Sequence, residues 1–255
     1  GRETVGIRVP GAAGDGMQLP GDRFPVSSAI FGNGLSTVPG FPAEIRASAG
    51  TMAGVSAFQI HISDHDILTP WDSPNVLVAM NPAALRASLD DMKPGSTLIV
   101  NVDAFVDRNL VKAGYATNPL ADGSLAGFTV FEVPMTSLTL AAAKPSGAKS
   151  RDAERSKNFF ALGLVSWMYS RPAELTLDWI GRRFAKVPTV AQANALAFKA
   201  GYNFGETAEL VGGPFTVRAT AFKPGTYTSI SGNTEPAWRL VAAGQLAQPH
   251  GVRAP

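Results

Sequence analysis

Short apolar stretches separated by turn residues fill the first half of the chain. Six of them predict strands: residues 5–9, 35–38, 55–62, 76–80, 97–102 and 128–133. In the first and third, apolar and polar side chains alternate as in a strand with one buried face. The stretches at 76–80 and 97–102 are apolar throughout, which is typical of parallel strands buried on both faces. The pattern predicts an α/β fold with a Rossmann-like, mostly parallel sheet.

Helical periodicity replaces this pattern after a polar linker at residues 144–150. Apolar positions spaced three and four apart predict helices over 159–168, 175–184 and 190–202, packed on the sheet. Within the sheet region, Asn81 and Pro82 are typical of a helix start, and that helix is expected to run to about Met92.

Three further elements are predicted from shorter signals. Residues 63–66 should turn the strand at 55–62 into a β-hairpin with 67–69. A kinked or late-starting helix is expected within 17–31, and a late strand at 215–218.

Composition excludes several classes of function. Hydrophobic residues make up 45% of the chain, so a large core is available and disorder is not expected. The net charge of +2 is too small, and the basic residues too scattered, to predict a nucleic-acid surface. With no cysteine, the chain cannot hold a disulfide, an iron–sulfur cluster or a cysteine nucleophile. No apolar run is long enough for a membrane span and no signal peptide is recognised, so a cytoplasmic location is expected.

A glycine-rich loop follows the first strand and is the main candidate site. Gly11, Gly14 and Gly16 let backbone approach a phosphate, although their spacing is not that of the dinucleotide motif. Gly14–Asp15–Gly16 also matches part of a thiamine diphosphate motif, but the asparagine expected near residues 41–44 is absent. Two interpretations stay open: a loop that cradles a phosphate, such as one of coenzyme A, and a tight turn needed for packing.

Other candidates carry a structural alternative too. Arg46 has two possible roles. It could contact an anionic group, of coenzyme A or of a partner subunit, or it could pair with Glu44 and so hold its own loop in place. His61 and His65 would point apart on a strand and a turn, so no metal site is predicted. No nucleophile elbow or zinc-protease motif occurs, so a hydrolase function is not supported. No catalytic residue is predicted. Five aromatic residues are expected to be core rather than interface: Phe159, Phe160, Trp167, Tyr169 and Trp179.

Blocks along nearly the whole chain, taken together, resemble the 2-oxoacid:ferredoxin oxidoreductase family. The similarity is to the N-terminal gamma domain of the fused alpha subunit of the 2-oxoglutarate type. Matching stretches include residues 14–18 (Gly-Asp-Gly-Met-Gln), 41–46 (Phe-Pro-Ala-Glu-Ile-Arg), 64–70 (Asp-His-Asp-Ile-Leu-Thr-Pro), 75–82 (Asn-Val-Leu-Val-Ala-Met-Asn-Pro), 152–158 (Asp-Ala-Glu-Arg-Ser-Lys-Asn) and 224–227 (Pro-Gly-Thr-Tyr). The family's substrate-contacting Tyr-Pro-Ile-Thr-Pro motif is absent.

The resemblance implies an enzyme that works only as a hetero-oligomer. Its reaction is the coenzyme A-dependent oxidative decarboxylation of a 2-oxoacid, with ferredoxin as electron acceptor. Thiamine diphosphate, Mg and [4Fe-4S] are expected in the alpha and beta partners, and coenzyme A is a substrate. Gly11, Gly14, Asp15, Gly16 and Arg46 are the candidate coenzyme A contacts. This chain alone is expected to bind no cofactor and to catalyse nothing.

The resemblance also divides the chain. Residues 1–211 are expected to form the gamma-type domain, with its sheet region at 1–143 and its helical region at 151–210. Residues 212–255 would form a connecting segment and the start of a truncated pyrimidine-binding-type domain. Two other functions stay open: a stand-alone Rossmann-like nucleotide or coenzyme A binding module, and a purely structural scaffold subunit.

Overall fold

The structure, a computed structural model, describes residues 4–12, 34–39, 55–63, 73–208, 217 and 237–241. The chain divides into two units, Gly1–Ala221 and Phe222–Pro255. Of the second unit only residues 237–241 are described, and these are helical. None of the helices in the described ranges is both long and apolar enough for a membrane span.

Six strands form one sheet: β1 (Thr4–Ala12), β2 (Gly34–Pro39), β3 (Val55–Ser63), β4 (Val76–Ala79), β5 (Thr97–Asn101) and β6 (Thr129–Val133). Their order across the sheet is β2-β3-β1-β4-β5-β6. The neighbours β1, β4, β5 and β6 are parallel, whereas β3 runs antiparallel to both β1 and β2. The predicted α/β fold with a mostly parallel sheet is therefore confirmed.

Seven helices occur between residues 73 and 208: α1 (Pro82–Leu89), α2 (Asp107–Lys112), α3 (Met135–Ala143), α4 (Ser150–Arg155), α5 (Lys157–Met168), α6 (Ala173–Arg183) and α7 (Pro188–Thr207). The first begins as predicted, because the Asn81 side chain accepts the N–H of Ala84 at 2.8 Å. At the end of α5, Ser170 adopts the left-handed conformation (φ 54°) that glycine usually supplies. The N–H groups of Ser170 and Arg171 then donate to the carbonyls of Trp167 and Ser166, which closes the helix.

The sheet is buried on both faces by different helices. Along β4, Val76 and Val78 join a core that contains residues of α5 and α7. Leu77 and Ala79 point the other way, into a core that contains Leu85 of α1 and Leu110 of α2. Full burial of such aliphatic side chains contributes roughly 1.5–3 kcal/mol each, so the two cores explain why β4 is apolar throughout.

The helices α5 and α7 approach each other unusually closely. A Cβ atom at Gly163 would lie 2.0 Å from the carbonyl oxygen of Phe198, and one at Gly201 would lie 2.0 Å from that of Phe160. Gly205 would meet the ring of Trp167 at 2.5 Å in the same way. The absence of side chains at these three positions therefore sets the distance between the two helices.

Several predicted elements take a different form or lie outside the described residues. The first helix ends at Leu89 rather than Met92, and α7 extends to Thr207. The linker at 144–150 contains a 3-10 turn, Lys144–Ser146, and α4 begins at its last residue, Ser150. The helix expected within 17–31 and the return strand of the hairpin at 67–69 lie outside the described ranges. Of the late strand at 215–218 only Val217, a buried core residue, is described.

The aromatic residues of the helical region form core, as expected. Phe159, Phe160, Trp167 and Tyr169 are each 9% exposed or less. Trp179 packs against them with its ring 6.4 Å from that of Phe159. Two short helices, α2 and α3, were not expected and lie in the region assigned to the sheet.

Candidate functional site

The carboxyl ends of the parallel strands meet at one edge of the sheet. The chain leaves β1 for β2 on one side, and leaves β4 for β5 on the other. Neighbouring strands whose connections run in opposite directions mark a topological switch point, the place where open α/β sheets bind ligands. The β1–β4 edge is thus the candidate site.

Of the predicted site residues, Gly11 is the one that the structure describes. It lies near the carboxyl end of β1, where its backbone pairs with Ser56 of β3. The parallel register pairs Arg8 with Leu77, so Gly11 reaches the edge together with Met80 and Asn81. Gly14, Asp15 and Gly16 follow β1 directly in the sequence but lie, with Arg46, outside the described residues. Their role as contacts stays a prediction.

The amino end of α1 lies at this same edge. Asn81 caps the helix with its side chain, and Pro82 occupies the first helical position, where no N–H donor is needed. The peptide dipoles of a helix give its amino end a partial positive charge, typically worth 0.3–1 kcal/mol to a nearby anion. The edge is therefore electrostatically suited to an anionic group.

A buried amide holds the edge together. Asn101, at the end of β5, is 1% exposed. Its Nδ2 donates to the carbonyl of Met80 at 3.3 Å and to Oγ1 of Thr136 at 3.0 Å. Its Oδ1 accepts the N–H of Thr136 at 3.3 Å. One side chain thus links the ends of β4 and β5 to the start of α3.

The first turn of α3 has a second partner on the same edge. The carboxylate of Asp103 accepts the N–H of Ser137 at 2.7 Å and its hydroxyl at 3.0 Å. An acidic side chain at a helix amino terminus satisfies an otherwise unpaired donor and complements the dipole. Sequence reasoning missed both Asn101 and Asp103, although polar residues at the end of an apolar strand are a usable signal.

A separate polar cavity of about 310 Å³ is lined by residues before β4 and after α1, together with Arg8 of β1: Ser73, Pro74, Asp90, Asp91, Met92 and Lys93. These residues lie at the amino end of β4, away from the candidate edge. Arg8 pairs with Asp91 and donates to Oε1 of Gln59 at 3.0 and 2.8 Å. The guanidinium of Arg8 is therefore already paired within the fold, and we do not assign a ligand to this cavity.

The titratable groups offer no acid–base pair at the candidate edge within the described part of the chain. Burial lowers the pKa of Arg171 to about 10, but this residue belongs to the turn between α5 and α6. Burial also raises the pKa of Tyr115, which stacks against the guanidinium of Arg86 at 5.5 Å. No group of three or more metal-ligating side chains occurs among the described residues.

Comparison with known proteins identifies the family. Residues 6–204 match the model of the pyruvate ferredoxin/flavodoxin oxidoreductase family. The chain is 54% identical over 245 residues to 2-oxoglutarate oxidoreductase subunit KorA of Mycobacterium tuberculosis. That alignment covers 96% of this chain but only 38% of the relative, so the chain spans well under half of that relative's length.

Solved structures show the same fold at low sequence identity. A 2-oxoglutarate:ferredoxin oxidoreductase from Magnetococcus marinus, solved with 2-oxoglutarate, coenzyme A and succinyl-CoA bound, matches with a TM-score of 0.66 and 22% identity. The match covers all of this chain and 44% of that one. The gamma subunit of a keto/oxoacid ferredoxin oxidoreductase from Geobacter sulfurreducens matches with a TM-score of 0.54 and 19% identity, covering 80% of this chain and 99% of that one. The chain therefore belongs to the pyruvate ferredoxin/flavodoxin oxidoreductase family.

Proposed function

We propose that this chain is the gamma-type part of a 2-oxoglutarate:ferredoxin oxidoreductase and acts there with alpha and beta partners. The observation that carries the proposal is the identity to KorA, which extends along nearly the whole chain. The complex would decarboxylate the 2-oxoacid oxidatively, transfer the acyl group to coenzyme A and pass the electrons to ferredoxin. A cytoplasmic location belongs to the same proposal.

The redox and carbanion chemistry is assigned to the partners. Thiamine diphosphate with Mg would supply the carbanion chemistry, and [4Fe-4S] clusters would carry the electrons. Since the chain has no cysteine, it offers no usual ligand for such a cluster. The asparagine that would complete a thiamine diphosphate motif after Gly14–Asp15–Gly16 is also missing.

The contribution of this chain would be to bind coenzyme A. Two features support that role: Gly11 at the switch point, and the amino end of α1 beside it. Coenzyme A carries phosphate groups, which favour glycine-rich backbone and helix amino ends. We therefore keep Gly14, Asp15, Gly16 and Arg46 as proposed contacts that extend this edge.

Titration of coenzyme A into the intact complex tests the role of the loop. The variant Gly14→Ala/Gly16→Ala should weaken coenzyme A binding by about tenfold, a loss of about 1.4 kcal/mol. Gly127→Ala is the matched control, because a Cβ atom there meets nothing within 4 Å. Unchanged affinity in an assembled complex would favour the scaffold function instead. A native protein that runs alone, without a cysteine-bearing partner, would favour the stand-alone binding module.

A further inference from the structure

Six exposed cationic side chains lie on or directly before α4, at the end of α6 and in the turn before α7: Lys149, Arg151, Arg155, Arg182, Arg183 and Lys186. We call this set the basic surface. No residue of it belongs to the carboxyl edge of the sheet described above.

Contacts within the fold bring its two halves together. Ser156, directly after α4, donates its hydroxyl to Oδ1 of Asn194 in α7 at 2.7 Å. Ala153 of α4 and Ala193 of α7 belong to one small core cluster. Since α7 begins at Pro188, α4 lies beside its first turns and therefore near the turn that carries Lys186.

An aromatic contact holds the end of α6 against the start of α5, close to the end of α4. The ring of Phe184 packs edge-on against Phe159, in the first turn of α5, with centroids 5.8 Å apart. The guanidinium of Arg183 lies over the ring of Phe184, 6.0 Å from its centroid. Arg155 and Arg183 are thus held at the same end of the helical layer.

The charge of the basic surface is only partly balanced by the acidic side chains beside it. Within the described part of the chain, none of the six cations forms an ion pair. The same segments carry four acidic side chains, Asp152, Glu154, Glu174 and Asp178, of which Glu154 pairs with Lys157 at 3.5 Å. With Lys157 counted, seven cations and four acidic groups leave these segments with a net charge of +3. The chain as a whole carries a net charge of only +2, so this positive charge is concentrated rather than general. Like charges gathered without partners repel one another, and an acidic partner would relieve that repulsion.

The composition of the basic surface fits a protein partner better than a bare polyanion. Four of the six cations are arginines, which are enriched at protein interfaces, whereas lysines are depleted there. Val187 is 50% exposed directly beside Lys186, which gives the surface an apolar point among its charges. The ring of Phe184, which lies beside these cations, is already covered by Arg183 and packed on Phe159. It is therefore poorly placed to stack on a base.

We propose that the basic surface, formed by α4, the end of α6 and the α6–α7 turn, is a docking site for the acidic face of a protein partner. Opposite charges would steer the encounter, and the arginine forks would pair with carboxylates on the partner. This docking site is separate from the glycine loop, and the proposal does not depend on the coenzyme A binding proposed for that loop.

Fluorescent poly-L-glutamate provides a defined acidic probe. Wild-type chain should bind it with an affinity that falls as salt is raised, since Debye screening weakens exposed pairs. The variant R151E/R155E/R182E should lose at least about tenfold in affinity. The control K93E/R108E/K112E changes the net charge equally at exposed positions elsewhere, and should stay within about twofold.

Several outcomes would overturn the proposal. Equal losses in the two triple variants would show general attraction to net charge rather than a site. Tighter binding of a single-stranded RNA, or of phosphatidylserine vesicles, would assign the surface to a different class of partner. If R151E/R155E/R182E fails to fold, judged by circular dichroism, the neutral R151Q/R155Q/R182Q replaces it. That variant should show an intermediate loss, and wild-type affinity in it would contradict the proposal.

Discussion

Replacement of Gly163 by alanine tests how closely α5 and α7 must pack. The added Cβ atom would lie 2.0 Å from the carbonyl oxygen of Phe198 and 3.0 Å from the amide nitrogen of Tyr202. Close carbon–oxygen contacts in proteins are about 3.3–3.6 Å, so the helices must separate by roughly 1 Å or more. The obstacle is backbone, which cannot rotate away as a flexible side chain can.

The expected loss of stability follows from two opposed effects. Overpacking of a core typically costs about 1–3 kcal/mol. A gap of about 1 Å between α5 and α7 also removes up to half of the energy of each dispersion contact between them. Alanine gains about 1 kcal/mol over glycine in helix propensity. Because the clash here is with backbone, we place the overpacking cost at about 3 kcal/mol or more. The net loss for Gly163→Ala is then at least about 2 kcal/mol.

Urea unfolding followed by circular dichroism measures this loss against a matched control. Gly181→Ala lies on an exposed position of α6 where a Cβ atom meets nothing within 4 Å, so it should stabilise by up to about 1 kcal/mol. Gly201→Ala should resemble Gly163→Ala, and the double variant should lose less than the sum, since the helices separate only once. If Gly163→Ala changed the free energy of unfolding as little as Gly181→Ala, the account of the close packing between α5 and α7 would be wrong.

Two further predictions concern buried and exposed polar groups. Asn101→Ala leaves the buried carbonyl of Met80 and the N–H of Thr136 without their partner, so urea unfolding should show a loss of about 2 kcal/mol. The control Asn203→Ala, at an exposed position, should change the free energy of unfolding by no more than about 0.5 kcal/mol. Equal losses in the two variants would contradict the stabilising role of the Asn101 hydrogen bonds. Hydrogen bonds from two neighbouring hydroxyls hold the pKa of Asp122 below its usual value, so its contribution to stability is present above the unfolded pKa and lost as pH falls through the lower folded pKa. The urea midpoint of Asp122→Asn should therefore depend less on pH in the acidic range, and an unchanged pH profile would contradict this.

The strands could be predicted because their environment is simple. Residues of β4 and β5 are buried on both faces, so nearly every position is apolar and the pattern needs no knowledge of the partner strand. The start of α1 could be predicted as well, because Asn81 and Pro82 favour a helix start through local backbone geometry. Local chemistry was sufficient in both cases.

The helix α3 was missed because its exposure contradicts its residue types. Thr139 is fully buried, while Leu140 beside it is 39% exposed. A polar residue inside and an apolar residue outside remove the periodicity that marks an amphipathic helix. Only the contacts of α3 with distant helices, absent from the local sequence, account for this arrangement.

The glycine loop stays a predicted site, whereas the residues that support the edge beside it were not predicted. The glycine loop after β1 was recognisable because glycine at a strand end has a known steric meaning. The role of Asn101 depends on Met80 and Thr136, which lie 21 and 35 residues away in the chain. Pairings over such distances come from the fold, so the antiparallel place of β3 between β1 and β2 was likewise not foreseen.

The central proposal is that this chain works in a 2-oxoglutarate:ferredoxin oxidoreductase. The most direct test is reduction of ferredoxin by the native complex that contains this chain, followed spectroscopically. We predict reduction that requires both 2-oxoglutarate and coenzyme A and that yields succinyl-CoA. A complex that reduces ferredoxin equally well without coenzyme A, or a native chain with no cysteine-bearing partner and no such activity, would contradict the claim.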